Sequence, residues 1–292
     1  GIGNSYESIA QVYVAKENYL QAVHYYKLCY TSFSKLESEQ AKIASSAANV
    51  GLLYSWISNN REAIIYFEKA AKLYEKIHDI DGLTWTYNQI GNLYSIAGNF
   101  EKSLVYNSKT LEISKRENLP FAEADAYRHR IDTYILMKRY QEALQLIYRN
   151  IQFYKKNNNF TSLIVSYIQL GEIKYGENLI HESLNSFNQA LELSIAKNNI
   201  YYTAISKEKL GNTYFHLKQY NLAIDNLLQA VEYFEKIQEV NILSSSYLTI
   251  AQSYNAIKEF ETAYKYLEKH VHYHSINMKN DDEFSQEISR LD

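Results

Sequence analysis

The chain of 292 residues has few of the residues that interrupt helices or cross-link a fold. It contains one proline, Pro120, one cysteine, Cys29, and nine glycines. A single cysteine excludes an internal disulfide and agrees with a reducing compartment. Because helix breakers are so rare, the chain is predicted to be nearly all helical.

Two further absences restrict the classes of function. No apolar run approaches the roughly 18 residues that indicate a membrane-spanning helix, so we expect no membrane insertion. There are 30 basic and 33 acidic residues, for a net charge of −3, and no basic stripe stands out. The electrostatic footprint of a nucleic-acid-binding protein is missing, and we expect no nucleic acid among the partners.

The sequence does contain one phrase that recurs at a fixed interval. Stretches such as IGNLY, LGNTY and IAQSY share a small second residue, which serves as a marker, and Ile131 occupies the fourth slot of the series. Successive markers are separated by 41 residues once and by 40 residues five times. The markers are Ala10, Gly51, Gly91, Ile131, Gly171, Gly211 and Ala251. Another small residue follows each marker by 12 positions, at Ala22, Ala63, Ser103, Ala143, Ser183, Ala223 and Ala263.

Each repeat has the apolar pattern of two helices. In the third repeat, Tyr87, Ile90, Gly91 and Tyr94 fall at i, i+3, i+4 and i+7, which is one face of a helix. A turn is predicted around Gly98, followed by a second helix. The small residues let the two helices approach closely, and tyrosines fill the remaining space. These packing tyrosines are Tyr6, Tyr87, Tyr127, Tyr167 and Tyr247, four residues before a marker, and Tyr13, Tyr54, Tyr94, Tyr134, Tyr214 and Tyr254, three residues after one.

In these features the chain resembles the tetratricopeptide repeat family, whose units are helix-turn-helix pairs with small and aromatic residues at such places. The resemblance implies an all-α fold, a right-handed superhelical solenoid of seven repeats with about 14 to 15 helices. A single solenoid is predicted over residues 1–277. Its repeats occupy approximately residues 3–43, 44–83, 84–123, 124–163, 164–203, 204–243 and 244–277.

The sequence departs from the family pattern in two ways. The usual period is about 34 residues, whereas this one is 40, and the proline that closes each unit is missing. We therefore expect longer helices. Repeats of this length resemble those of bacterial peptide-sensing regulators and of the sensory domains of bacterial signalling proteins, although a shared fold says little by itself about function.

The family resemblance also implies where a partner binds, because the first helix of each pair lines a concave groove. Asparagine side chains both donate to and accept from a peptide backbone, so Asn88, Asn92 and Asn212 suit an extended segment. The alternative is a polar groove that is only solvated. The candidate residues for peptide or protein binding are Trp56, Trp85, Asn88, Asn92, Arg128, Asp132, Glu172, Tyr175, Glu208, Asn212 and His216.

No residue pattern in the sequence indicates catalysis. There is no glycine-rich phosphate loop, nucleophile elbow or metalloprotease helix. Cys29 lies at a place where other repeats have a buried alanine, which favours packing over nucleophilic chemistry. His270 and His274 have the spacing of metal ligands but no carboxylate or cysteine beside them, so we interpret them as a partly packed pair. We expect no catalytic residue, no metal and no cofactor.

The two ends of the sequence suggest a piece of something longer. The chain begins without a methionine, and we expect it to be a fragment. Residues 278–292 are predicted to form a capping helix or the start of a helical linker to a missing output domain. That helix would begin at Asp281 or Asp282, with Phe284, Ile288 and Leu291 on one face. The same spacing suits a coiled coil, which makes a homodimer through this helix possible.

The sequence thus predicts a non-enzymatic domain that binds a protein or peptide segment. The leading interpretation is the sensory or regulatory part of a bacterial signalling protein, located in the cytoplasm. A stand-alone peptide-sensing regulator and a structural scaffold in a larger assembly are the alternatives.

Overall fold

The computed structural model describes residues 1–16 and 18–289. This part of the chain consists of fourteen α-helices and one short 3-10 helix, Glu37–Glu39, and contains no strand. The prediction of an all-α fold is confirmed. The helices are α1 (Ile2–Ala15), α2 (Tyr19–Phe33), α3 (Gln40–Trp56), α4 (Asn60–Lys76), α5 (Ile80–Ile96), α6 (Phe100–Arg116), α7 (Pro120–Leu136), α8 (Tyr140–Lys156), α9 (Phe160–Gly176), α10 (Ile180–Ala196), α11 (Ile200–His216), α12 (Tyr220–Ile237), α13 (Val240–Ala256) and α14 (Phe260–Ser289).

The 40-residue period arises from helices of equal length. Each helix from α3 to α11 has 17 residues, and three residues connect it to the next. The expectation of longer helices is therefore confirmed. The first repeat differs, because α2 has only 15 residues and the 3-10 helix follows it. This longer connection accounts for the single 41-residue interval.

Each connector from α3 onward contains a left-handed residue, which lies at the centre of the three-residue connectors and first in the two-residue connector between α12 and α13. These residues recur every 20 positions, at Ser58, His78, Gly98, Asn118, Lys138, Asn158, Asn178, Asn198, Lys218, Gln238 and Lys258. Gly98, with φ of 77°, is the glycine of the series, and it is the residue type that adopts this conformation without steric cost. The left-handed residue ends one helix and turns the chain into the next.

The residue after the left-handed position often caps the following helix. The backbone N–H of Ser162 donates to Asn159 Oδ1 at 3.1 Å, and that of Gly82 donates to Asp79 Oδ1 at 2.9 Å. Such caps satisfy an N–H group that has no partner within the helix. The asparagine- and aspartate-rich connectors of the sequence thus begin helices as well as end them.

Within a repeat, the marker residue faces a large side chain 16 positions later. A Cβ added to Gly51 would lie 2.8 Å from Cδ1 of Phe67, and one added to Gly211 would lie 2.6 Å from Cγ of Leu227. These distances are too short for a side chain, so the close approach requires glycine. The hydroxyl of Ser183, at the second small place, donates to the carbonyl oxygen of Gly171 at 2.9 Å.

Contacts divide the chain into two compact units, built on residues 1–133 (the first unit) and on residues 134–281 (the second unit). A core cluster of the first unit includes Val50, Leu53 and Leu83, and one of the second unit includes Leu227, Phe234 and Tyr247. None of the eleven tyrosines predicted to pack is exposed. No helix among the described residues is long and apolar enough to cross a bilayer.

The end of the chain differs from its prediction. A new helix beginning at Asp281 or Asp282 is wrong, because α14 runs without a break through Phe260–Ser289. A helical residue needs no capping side chain in the middle of a continuous helix, so these aspartates are interior positions. The predicted apolar face of Phe284, Ile288 and Leu291 lies outside the described side chains. A cap or linker over residues 278–292 stays a prediction.

Candidate functional site

The second unit contains a cavity of about 460 Å³ beside the first helices of its repeats. Glu172, Tyr175 and Gly176 of α9 line one side. The remaining lining residues come chiefly from α11, with single residues of other helices, and they are Lys209, Asn212, Thr213, Phe215, Ile135, Tyr140, Phe187 and Thr249. We call this space the second-unit cavity. Apolar walls with a few polar groups are typical of ligand sites.

A single cation, Lys209, lies between two carboxylates at the cavity. Its Nζ is 2.8 Å from Glu172 Oε1 and 3.6 Å from Glu208 Oε2. The charge of Glu208 is the main cause of a raised pKa of Lys209, and Glu172 adds to it against the opposing effect of burial. The group is therefore charged at neutral pH and joins α9 to α11.

The same network orients an amide. Glu208 Oε1 accepts a hydrogen bond from Asn212 Nδ2 at 2.5 Å. Glu208 and Asn212 are four residues apart on α11, so they share a helix face. Glu208 is only 6% exposed, which leaves it little freedom to rearrange. This hydrogen bond holds the Asn212 amide in one orientation, in which Nδ2 faces Glu208 and Oδ1 faces away from it.

An aromatic pair lies at the C-terminal ends of the same two helices. The rings of Tyr175 on α9 and His216 on α11 meet edge to face, with centroids 5.6 Å apart. Both side chains are exposed. The structure therefore brings together five of the predicted residues, namely Glu172, Tyr175, Glu208, Asn212 and His216.

The remaining predicted residues lie in the first unit. Trp56 is 49% exposed and meets Tyr19 edge to face at 5.4 Å, and Trp85 is 39% exposed and meets Phe67 at 5.7 Å. Asn92 on α5 is half-buried. These exposed tryptophans are large apolar surfaces, and each contacts another aromatic ring.

Two predicted groove residues, Asn88 and Glu208, are not at the surface. Asn88 is 5% exposed, and its Oδ1 is buried without a hydrogen-bond partner. The expectation that it lines an open groove is wrong for the protein in this conformation. The fifth place of the repeat faces the packed interior in several copies, since Ala48, Ile168 and Glu208 at this place are 4%, 7% and 6% exposed.

Arg128 and Asp132 of α7 are both half-buried. Arg128 Nη2 lies 2.9 Å from Nε2 of His129, and its Nε lies 3.5 Å from Asp125 Oδ1. Burial, and then the charge of Arg128, lower the pKa of His129 well below its usual value. The neutral imidazole of His129 accepts a hydrogen bond from the guanidinium, so the Arg128 side chain is held by both His129 and Asp125.

The sequence interpretation missed Lys209, although the repeat contains a signal for it. The sixth place of each repeat, two residues before the marker, is polar in every copy. Its residues are Ser8, Asn49, Gln89, His129, Gln169, Lys209 and Thr249. A polar residue kept beside the small marker in every repeat indicates a common polar lining, and the family-based groove places do not include it.

The other candidate groups pack as predicted. Cys29 is fully buried with its Sγ 3.2 Å from the hydroxyl of Ser46, and burial raises the pKa of its thiol. His270 stacks on His274, and its Nδ1 lies 2.9 Å from the carbonyl oxygen of Ser244. In the part of the chain that the structure describes, no group of three or more histidine, cysteine, aspartate or glutamate side chains is placed to hold a metal ion.

Comparison with known proteins agrees with this architecture. Tetratricopeptide repeat models match residues 39–116 and 206–239. Response regulator aspartate phosphatase I of Bacillus subtilis (strain 168) is 24% identical over 241 residues, which cover 71% of this chain and 60% of that protein. The chain thus spans about 60% of the length of this relative.

Solved structures show the same fold. The apo form of RapI superposes with a TM-score of 0.75 at 15% identity, covering 95% of this chain and 99% of that one. The Rap conjugation gene regulator of the plasmid pLS20, in complex with the Phr* peptide, gives a TM-score of 0.69 at 15% identity, covering 92% and 73%. The chain thus contains two segments that match tetratricopeptide repeat models, and its fold is similar to that of the Rap proteins.

Proposed function

We propose that the chain is a peptide-sensing regulator that binds a peptide or an extended protein segment in the second-unit cavity. It acts in the cytoplasm and carries out no chemistry of its own. The observation that carries this proposal is the second-unit cavity itself, in which a fixed amide, an ion pair and exposed aromatic rings converge between two first helices.

The hydrogen-bonding capacity of the cavity suits a peptide backbone. Asn212 Nδ2 is engaged by Glu208, which directs the amide oxygen of Asn212 toward a backbone N–H of a ligand. Because Glu208 and Lys209 fix each other, this acceptor is oriented before binding. Preorganisation of this kind lowers the entropic cost of association.

The aromatic pair at the cavity rim suits an apolar ligand side chain. Tyr175 is 39% exposed and lines the cavity, so it offers a ring face that a ligand can cover. Phe215 adds a second apolar wall from α11. Polar groups for the backbone and apolar walls for side chains are the combination by which extended segments are recognised.

Similarity to the Rap proteins favours a peptide-sensing regulator over a scaffold. One structure of the same fold carries a peptide, the Phr* peptide of the pLS20 regulator. The relative from Bacillus subtilis is named a phosphatase of response regulators, which supports a place in bacterial signalling. The bound peptide of one neighbour and the response-regulator partner named for the other support the proposal.

A randomised heptapeptide library tests the proposal. We expect the immobilised chain to enrich a sequence family, whose best member is then titrated by calorimetry. Asn212→Ala is expected to weaken binding about tenfold or more, because a buried backbone N–H loses its acceptor. Asn226→Ala on α12 is the matched control, since Asn226 bonds the carbonyl of Leu222 on its own helix, and it should leave the affinity unchanged.

Failure of the library to enrich any sequence, with the chain folded, would favour the scaffold alternative. The catalytic alternative has its own measurement. Addition of the chain to a response regulator carrying an aspartyl phosphate should leave the rate of phosphate loss unchanged. Faster hydrolysis would contradict the proposal that the chain has no chemistry of its own.

A further inference from the structure

The last residue of the first helix is large and apolar in three consecutive repeats. Trp56 of α3, Ile96 of α5 and Leu136 of α7 hold this place, and they are 49%, 59% and 52% exposed. In the next repeat the last residue of α9 is Gly176, so that repeat has no side chain at this place. Gly176 lines the second-unit cavity. The cavity therefore opens at the repeat in which the large side chain is missing.

The residue just before this place changes in the opposite direction. Serine precedes the last residue of α3 and of α5, whereas Tyr175 precedes Gly176. Ile135 and Phe215 hold the same place as Tyr175 in the neighbouring repeats, and all three side chains line the second-unit cavity. The sequence thus adds apolar walls at the repeats that form the cavity and removes a side chain from one place within it.

Tyr140, the first residue of α8, lies directly against Gly176. A Cβ added to Gly176 would lie 2.6 Å from the hydroxyl oxygen of Tyr140, which is too close for a side chain. The corresponding pair in the first unit is Tyr19, the first residue of α2, and Trp56, whose rings meet edge to face at 5.4 Å. A large side chain therefore packs on the tyrosine at that junction. Tyr140 instead contacts bare backbone and lines the second-unit cavity.

We infer that a large apolar side chain of the bound peptide takes the place of the missing one and packs on the ring of Tyr140, between Tyr175 and Phe215. The inference rests on the proposed function, since the same cavity binds the peptide, and it names the class of ligand. The ligand is a segment with one large aliphatic or aromatic residue, whose side chain packs at Gly176 while the backbone of the segment bonds the amide of Asn212.

The surfaces at this end of the cavity favour an apolar side chain over a charged one. Tyr175 is 39% exposed, and a ligand side chain that covers its ring removes apolar surface of both partners from water. The charged groups of the cavity are already engaged, because Lys209 pairs with Glu172 and Glu208. A small side chain such as alanine leaves the place unfilled and loses these contacts. The size of one ligand side chain therefore determines the affinity.

A double-mutant cycle between peptide and chain tests the inference. The best peptide of the library, and the same peptide with alanine in place of its large apolar residue, are titrated by calorimetry against the unaltered chain and against Gly176→Leu. The alanine substitution should weaken binding to the unaltered chain about tenfold or more. Gly176→Leu supplies the side chain that Leu136 has at this place, so it should weaken binding of the unaltered peptide about tenfold and make the alanine substitution nearly without effect.

Ala256→Leu is the matched control. Ala256 is the exposed last residue of α13 and holds the same place of the repeat as Gly176, outside the second-unit cavity. The variant adds the same side chain to the same place in another repeat. It should bind both peptides as the unaltered chain does.

A second variant decides the matter if Gly176→Leu does not fold. Tyr175→Ser places at this position the residue that precedes Trp56 and Ile96, and it removes one wall of the apolar end. Because Tyr175 is 39% exposed, the variant should stay folded, which circular dichroism checks. The loss of affinity on the alanine substitution in the peptide should shrink to about threefold or less in this variant.

The outcomes separate this inference from the proposed function. A peptide that binds Gly176→Leu as tightly as it binds the unaltered chain would overturn the apolar subsite and leave peptide binding standing. The same holds for a bound peptide in which no large apolar residue is sensitive to alanine substitution. A library that enriches no sequence, with the chain folded, would overturn both the proposed function and this inference.

Discussion

At the scale of single residues, the second-unit cavity depends on one cation shared by two acidic groups. Lys209 holds Glu172 of α9 and Glu208 of its own helix, and Glu208 in turn holds Asn212. The cost of desolvating Glu208 is offset only while both partners are present. Loss of one member should therefore disturb the others.

Lys209→Met is expected to lower the free energy of unfolding by about 1 to 3 kcal/mol, since it leaves Glu208 buried without its cation. The lower part of that range reflects the 31% exposure of the Lys209 side chain. Urea unfolding at pH 7 measures the change. Lys236→Met is the matched control, because its pair with Glu232 is 69% and 73% exposed, and it should change stability by less than about 0.5 kcal/mol. Equal effects of the two variants would contradict this account of the site.

Tyr247→Phe is expected to cost about 1 kcal/mol at pH 7 through the loss of one hydrogen bond. The hydroxyl of Tyr247 donates to Glu235, which also pairs with Lys269 at 3.0 Å. The bond from Tyr247 is the main cause of a lowered pKa of Glu235, assisted by Lys269 against partial burial.

This stabilisation should depend on pH in one direction. A carboxyl whose pKa is lowered by folding contributes stability above its unfolded pKa, about 4.3 for glutamate, and loses it as the pH falls through the folded pKa. The difference between the unaltered chain and Tyr247→Phe should therefore shrink below about pH 4. Urea unfolding across pH 3 to 7 measures it, and a difference that stays constant over this range would count against the Glu235 bond.

The sequence predicted which residues share a helix face, but not how deeply each of them is buried. The places of the repeat indicated Glu172, Tyr175 and Asn212, which line the second-unit cavity. They also indicated Glu208 and His216, which contact Asn212 and Tyr175. The burial of Asn88 was not predicted, although the apolar residues Ala48 and Ile168 at the same place of other repeats indicate a buried position. A repeat pattern fixes which residues share a helix face, but their depth depends on the neighbouring repeat.

At the scale of elements, the structure repeats a helix of nearly constant length and a short connector of nearly constant conformation. The connector combines a left-handed residue with a capping residue, and both serve the backbone and not the core. Asparagine performs both tasks well, which explains the runs of asparagine in the sequence. The elements were predictable for this reason, since each begins and ends with local signals.

Asn199→Ala should destabilise the second unit by about 1 kcal/mol, because Asn199 Oδ1 accepts the N–H of Tyr202 at 3.1 Å at the start of α11. Thermal unfolding followed by circular dichroism measures the effect. Gln219→Ala is the matched control, since Gln219 precedes α12 without a side-chain cap. It should leave the melting temperature nearly unchanged, and an equal loss in both variants would contradict a specific role of the cap.

The end of the chain was the element that sequence patterns misplaced. An aspartate pair after a polar stretch has the composition of a helix start, yet α14 continues through it. Capping signals compete with helix continuation, and an aspartate is tolerated inside a helix at a modest cost. The aspartate pair therefore has the composition of a helix start, but it lies inside a helix that has already begun at Phe260.

At the scale of the whole molecule, contacts are local along the chain. Helices that follow each other in sequence pack together within each unit, as α3 does with α4 and α11 with α12, and contacts between alternate helices such as α9 and α11 are few. In a repeat protein of this kind, stability is approximately a sum of repeat and nearest-neighbour terms. A helix that packs on two neighbours, such as α9 between α8 and α10, is held by more of these terms than a helix that packs on one.

In the 292-residue chain, hydrogen exchange should therefore be faster in α1, which packs on α2, than in α9, which packs on both α8 and α10. Exchange followed by mass spectrometry measures the difference, and equal rates in the two helices would contradict stabilisation by nearest-neighbour packing.

The left-handed residue at every twentieth position has a consequence for how such a chain can change its length. Insertion or deletion of a few residues inside a helix rotates every later side chain about the helix axis and breaks its register. Removal or duplication of forty residues restores helix, connector and face together. The architecture therefore admits edits in whole modules, and a gene encoding it can shrink or grow by recombination between its own copies without redesigning a single junction.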